Sequence, residues 1–148
     1  MTNTFCAPES DLEIWQERLL DLLDDCVGSA ALEEVERIRD AVGIILGHDV
    51  DAREPVDERR IEALLAAGAP ESAVICLLGP KARFMVSRGN ESCLATVVEH
   101  EGSREVMAEG ATMALALLAA HVSALLADSE TALEELTDLT SSSTPRLH

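Results

Sequence analysis

Apolar positions along the chain fall into blocks whose period changes once, from helical to strand-like. In the first block Trp15, Leu19, Leu22 and Cys26 recur at three- and four-residue spacing, with Leu12 and Leu23 beside them. This predicts an amphipathic helix from Ser10 or Asp11 to about Val27. Gly28 and Ser29 interrupt it, and Ser29 is the expected N-cap of a second helix, Ala30 to Leu46. That helix carries the stripe Leu32, Val35, Ile38, Val42 and Ile45 and stops at Gly47. The polar stretch "HDVDAREP" reads as a linker over 48–55. Pro55 suits the first turn of a third helix, about Val56 to Ala67. Gly68 and Pro70 end it, and a fourth helix runs from Glu71 to Leu78, stopped by Gly79-Pro80.

From Ala82 the period falls to two. "ARFMVSR" sets Phe84 and Val86 against Arg83, Met85 and Ser87; "SCLATVVE" sets Cys93, Ala95 and Val97 against Leu94, Thr96 and Val98. With Gly89-Asn90 between them, the two form a predicted hairpin, and "REVMA" (Arg104 to Ala108) a third strand. The stretch Ala111 to Ala127 is then apolar except for Thr112, His121 and Ser123. A membrane-spanning helix needs about 20 apolar residues. This one is shorter, lacks flanking Lys or Arg, and runs into Asp128 and Glu130. It therefore reads as a helix buried against the strands, along the stripe Leu115, Leu118, Val122 and Leu125. A short acidic helix, Ser129 to Leu136, and a Ser/Thr-rich end follow. The expected class is α+β: a helical hairpin (1–47), a linker (48–55), a domain of helices on a small antiparallel sheet (56–137) and a flexible tail (138–148).

The closing half has a familiar order. "ESAVICLLGP", "ARFMVSRG", "SCLATVVE" and "EGATMALALLAAHVSALL" resemble the small α/β sandwich domain of phage and prophage proteins of unknown function. The resemblance covers about residues 70–127. Ala111-Thr112-Met113-Ala114-Leu115-Ala116-Leu117 matches that family's closing "ATPALALCAAAL"-like helix, with Met113 where Pro is usual. It implies a fold and a phage origin, and no activity. The helix–strands–helix order also resembles double-stranded-RNA-binding domains. Those place lysines at the start of the last helix to meet phosphates, where this chain has Glu109, Gly110 and Thr112.

Charge sharpens the functional expectations. The net charge is −17, and Lys81 is the single lysine among 11 basic residues. Residues 1–30 carry −6 but residues 81–110 only −1, so the acidic excess is uneven. Such a field repels phosphate backbones, so no direct nucleic-acid binding is expected. Asp21, Asp24, Asp25, Glu33, Glu34 and Glu36 cluster around the first helical turn, and a rigid carboxylate array of this kind can occupy a basic groove by imitating nucleic acid. Asp21, Asp24 and Asp25 also sit where the helix dipole disfavours anions, so that end needs a cationic neighbour. Against this, an acidic surface is also what keeps a small protein in solution.

The search for chemistry is negative. There is no G-x-x-x-x-G-K-[ST], no G-x-G-x-x-G and no G-x-S-x-G. His100-Glu101 begins like H-E-x-x-H, but position 104 is Arg. His48-Asp49-Val50-Asp51 offers three ligand types on a loop, which is too weak to predict a metal site. No cofactor, metal or catalytic residue is expected. Cys26, Cys76 and Cys93 sit among apolar residues as reduced core fillers, and a cytoplasmic location follows from the absence of a secretory leader. The leading expectation is a non-enzymatic, prophage-type protein that binds a basic host or defence protein, with no membrane contact. A second is a homodimer or larger assembly built through the Trp15, Leu19 and Leu22 stripe. A third is a small enzyme using His121 with a buried cysteine.

Overall fold

The computed structural model describes residues 8–47 and 56–142. Among these residues the fold is α+β, with five α-helices and one three-stranded antiparallel sheet. The helices α1 (Pro8–Gly28), α2 (Glu34–Leu46), α3 (Glu58–Ala66) and α4 (Pro70–Leu78) precede the strands β1 (Arg83–Arg88), β2 (Cys93–Val98) and β3 (Val106–Gly110). Helix α5 (Met113–Ser142) is the last described element. The expected linker 48–55, with Pro55, lies outside the described residues.

The sheet order is β1-β2-β3. Its register pairs Phe84 with Val97, Val86 with Ala95, and Ala95 with Ala108 on one face. That face looks onto α5, which is why Cys93, Ala95 and Val97 are buried while Leu94, Thr96 and Val98 are only half-buried. The strand alternation expected from the sequence is thus the alternation found. Gly79, at φ +86, turns the chain from α4 towards β1, in the left-handed region where a side chain is strained.

One hydrophobic core holds the molecule. Trp15, Leu19, Leu22 and Cys26 of α1 share it with Ile38 of α2, Ile61 of α3, Val74 of α4, Val97 of β2 and Leu118 of α5. The residues expected to form a separate hairpin are therefore packed into the same core as the rest. The Trp15 indole donates to the Ile44 carbonyl at 3.2 Å, tying α1 to α2.

Three local expectations are corrected. Ser29 does not cap the second helix: its hydroxyl turns back onto the Asp25 carbonyl. The chain instead makes a short 3-10 turn, Ala31–Glu33, and the Glu33 carboxylate accepts from the Ala30 N–H at 2.9 Å. There is no break near Asp128, and α5 runs on through the positions expected for a separate acidic helix, including residues 138–142 of the expected tail. The reason is tertiary. Ser129 is buried, its hydroxyl donates to the Leu126 carbonyl at 2.8 Å, and the Ser129 hydroxyl oxygen accepts from the Gln16 side-chain amide of α1 at 2.9 Å. No Gly or Pro intervenes to stop the helix. The stretch Met113–Ala132 is long and apolar enough to cross a membrane, and 72% of it is buried inside the fold.

Candidate functional site

The expected acidic array does not form a single free surface. Asp25 and Glu36 both approach Arg37, at 3.5 and 3.3 Å, and Asp40 bonds it at 2.9 Å. Arg37 is thus the cation that the acidic end of α1 needs, although its Nε is buried with no hydrogen-bond partner among the described residues. Glu33 caps the 3-10 turn. Glu34 accepts from the Thr112 hydroxyl at 2.7 Å, and Thr112 in turn accepts from Leu115 N–H, capping α5. Four of the six carboxylates are thereby engaged within the chain; Asp21 and Asp24 are exposed on α1. Trp15, Leu19 and Leu22, the residues expected at a self-association surface, are buried in the core. That stripe is covered by the chain's own helices.

His121 is in a different setting. The inward positions of β2 are Cys93, Ala95 and Val97, and Glu99 is the next residue of the same parity, just beyond the strand. His121 lies on α5 three residues after Leu118 and four before Leu125, so it shares their face. Strand parity and helix periodicity therefore bring the two side chains together, and His121 Nδ1 bonds the Glu99 carboxylate. Both are nearly buried, with side chains 5% and 11% exposed. A carboxylate acceptor at Nδ1 calls for the proton on that nitrogen, and in the neutral ring so arranged Nε2 is the acceptor. Among the described residues nothing bonds Nε2.

The pair opens on a cleft of about 860 Å³ between α3, α4, the end of β2 and α5. That size falls within the roughly 300–1,000 Å³ of small-molecule sites. Ile45, Val56, Leu64, Leu78 and Leu125 supply apolar wall; Ser72, Cys76 and Arg60 supply polar groups. A second histidine–carboxylate pair, His100 Nε2 and Asp128 Oδ2 at 3.7 Å, lies on the same cleft and is more exposed. Asp57 belongs to the lining too, but its carboxylate caps α3 by accepting from Arg60 N–H at 3.1 Å.

Of the cysteines expected near His121, Cys76 shares the cleft, whereas Cys93 is buried on the sheet's inner face. Among the described residues no group of three or more His, Cys, Asp or Glu is placed to hold a metal ion. The loop His48-Asp49-Val50-Asp51 lies outside the described residues. Glu99, Asp128 and Arg60 were not singled out as site residues by the sequence, and His100 only as the start of an incomplete H-E-x-x-H. One signal was present for Glu99: a carboxylate at an inward-facing strand position, opposite an apolar helix with one histidine.

Comparison with protein-family models, with curated proteins and with solved structures finds no match for this chain. The functional reading rests on geometry alone.

Proposed function

We propose that this protein binds a small organic ligand in the cleft, seating an apolar body against Leu64, Leu78 and Leu125 and a hydroxyl or N–H against His121. The observation that carries the reading is the Nδ1 bond from His121 to Glu99 at the wall of the cleft. A buried carboxylate orients the ring and fixes its tautomer, the role such a group plays beside many working histidines. An acceptor held in low-dielectric surroundings discriminates strongly, because a ligand without a donor leaves it unpaired. Binding is the activity proposed.

The test is a fragment screen by thermal shift, using monocyclic compounds with and without one O–H or N–H donor. Compounds with a donor should dominate the hits. A ligand at 100 times its Kd stabilises by about 2.7 kcal/mol. Glu99→Gln replaces a charged acceptor with a neutral one, so affinity for those hits should fall about tenfold. Hits that bind wild type and Glu99→Gln equally, or that ignore the donor, contradict the reading.

A second reading has one observation in its favour, the exposure of Asp21 and Asp24 on α1. It is the acidic, prophage-type protein that binds a basic macromolecule, now resting on those two carboxylates instead of six. Capture of a basic nucleic-acid-binding protein from a lysate, lost in Asp21→Asn/Asp24→Asn, supports it; unchanged capture by the variant counts against it.

A further inference from the structure

The sheet ends on β1, and no described strand pairs its far edge. Every second N–H and C=O along such an edge points away from the sheet and can take a further strand. Helix α5 lies chiefly over β2 and β3, so β1 stands out from beneath it. Phe84, on the inner face, is 39% exposed, and Met85, on the outer face, is 74% exposed. The strand has no acidic residue and two cations, Arg83 at one end and Arg88 at the other. Both are exposed, and among the described residues neither has a carboxylate within ion-pair distance. A cationic, partly apolar free edge is the exception on a chain of net charge −17.

We propose that β1 accepts an extended segment of a partner protein as a fourth strand, and that the segment has an acidic residue at each end of a short apolar run. The register follows from the pleat. Arg83 and Met85 share the outer face, and Phe84, Val86 and Arg88 the inner one, as their pairing with β2 requires. An antiparallel strand then needs an acid opposite Arg88, apolar residues opposite Val86, Met85 and Phe84, and an acid opposite Arg83. Main-chain bonds would supply affinity and these alternate side chains specificity. A second copy of this chain fits the edge poorly, because β1 against β1 brings two cationic strands together and like charges across a ladder are destabilising. Arginines on a free edge also serve to prevent pairing, and the charge of the incoming strand separates the two roles.

The probe is the labelled peptide Glu-Thr-Val-Val-Val-Glu with Gly-Ser ends, followed by fluorescence anisotropy on the whole chain. It should bind saturably, and its Lys-for-Glu counterpart should bind at least tenfold more weakly. Both arginines are exposed, so Arg83→Glu/Arg88→Glu should fold and should reverse the preference towards the lysine peptide. Amide exchange should slow in β1 on binding. Absence of saturable binding, equal binding of the two peptides, or a preference that the double variant does not reverse overturns the proposal. So does light scattering that shows a dimer dispersed by the double variant, since the edge is then occupied by a second copy.

Discussion

Cys26 and Cys76 both lie near the ends of helices, yet their surroundings give them opposite reactivity. Burial pushes the Cys26 thiol up to about 12; Arg37 opposes that shift, and Asp25 and Asp40 add to it. The thiolate is the nucleophile, so Cys26 is inert at neutral pH while the chain is folded. Cys76 is half-buried and faces the cleft. Among the three described cysteines, iodoacetamide at pH 8 should modify Cys76 first, and Cys26 only on unfolding, as read by site-resolved mass spectrometry. A ligand in the cleft should protect Cys76. Equal rates at the two sites would contradict the burial described. Residues such as these mark the limit of what is legible in the sequence. Cys26 follows the apolar stripe of α1 and is read correctly as core. Cys76 sits in an equally apolar run, and only the packing of α4 against the cleft shows that it is reachable. Glu99 and His121 are 22 residues apart, and nothing local to either announces the other.

At the scale of elements, the joint between β3 and α5 is set by a missing side chain. A Cβ on Gly110 would come within 2.5 Å of the Ala116 nitrogen and 2.8 Å of the Leu115 carbonyl carbon. Both are backbone, which cannot move aside as a flexible side chain would. Alanines 114, 116, 119 and 120 of α5 and Ala95 of β2 are buried as well, and small side chains permit such close packing. Gly110→Ala should therefore destabilise by about 1–3 kcal/mol through overpacking, measured by urea denaturation. A loss below about 0.5 kcal/mol would show that the joint has slack. The elements themselves were mostly legible, because helical and strand periods are properties of a short window. The strands are found within two residues of where alternation places them. The misread elements are those decided by distant groups. Asp128-Ser129 looks like a helix end until Gln16 reaches Ser129. Ser29 looks like a cap until its hydroxyl finds a carbonyl behind it.

Over the whole molecule, charge and cleft are separate features. The carboxylates near the 3-10 turn are largely consumed by Arg37, Ala30 and Thr112. If Asp21 and Asp24 steer a basic partner, association should slow as salt rises from 0.1 M to 1 M, over which the Debye length falls from about 10 to about 3 Å. Asp21→Asn/Asp24→Asn should flatten that dependence without loss of stability, because both side chains are exposed. Adding Asp25→Asn should cost stability as well, because Asp25 lies beside Arg37. An unchanged salt slope in the double variant, read by stopped-flow mixing with the partner, would leave the acidic surface as a means of staying in solution.

The central claim is that His121 offers an unpaired Nε2 acceptor to the cleft, and long-range ¹H–¹⁵N NMR on histidine-labelled protein tests it most directly. The account predicts an Nδ1–H tautomer in the free protein, with the Nε2 resonance moving on addition of a donor-bearing fragment and the Nδ1 resonance still reporting the bond to Glu99. An Nε2–H tautomer in the free protein, or an Nε2 resonance unmoved by saturating amounts of every fragment that binds, would contradict it.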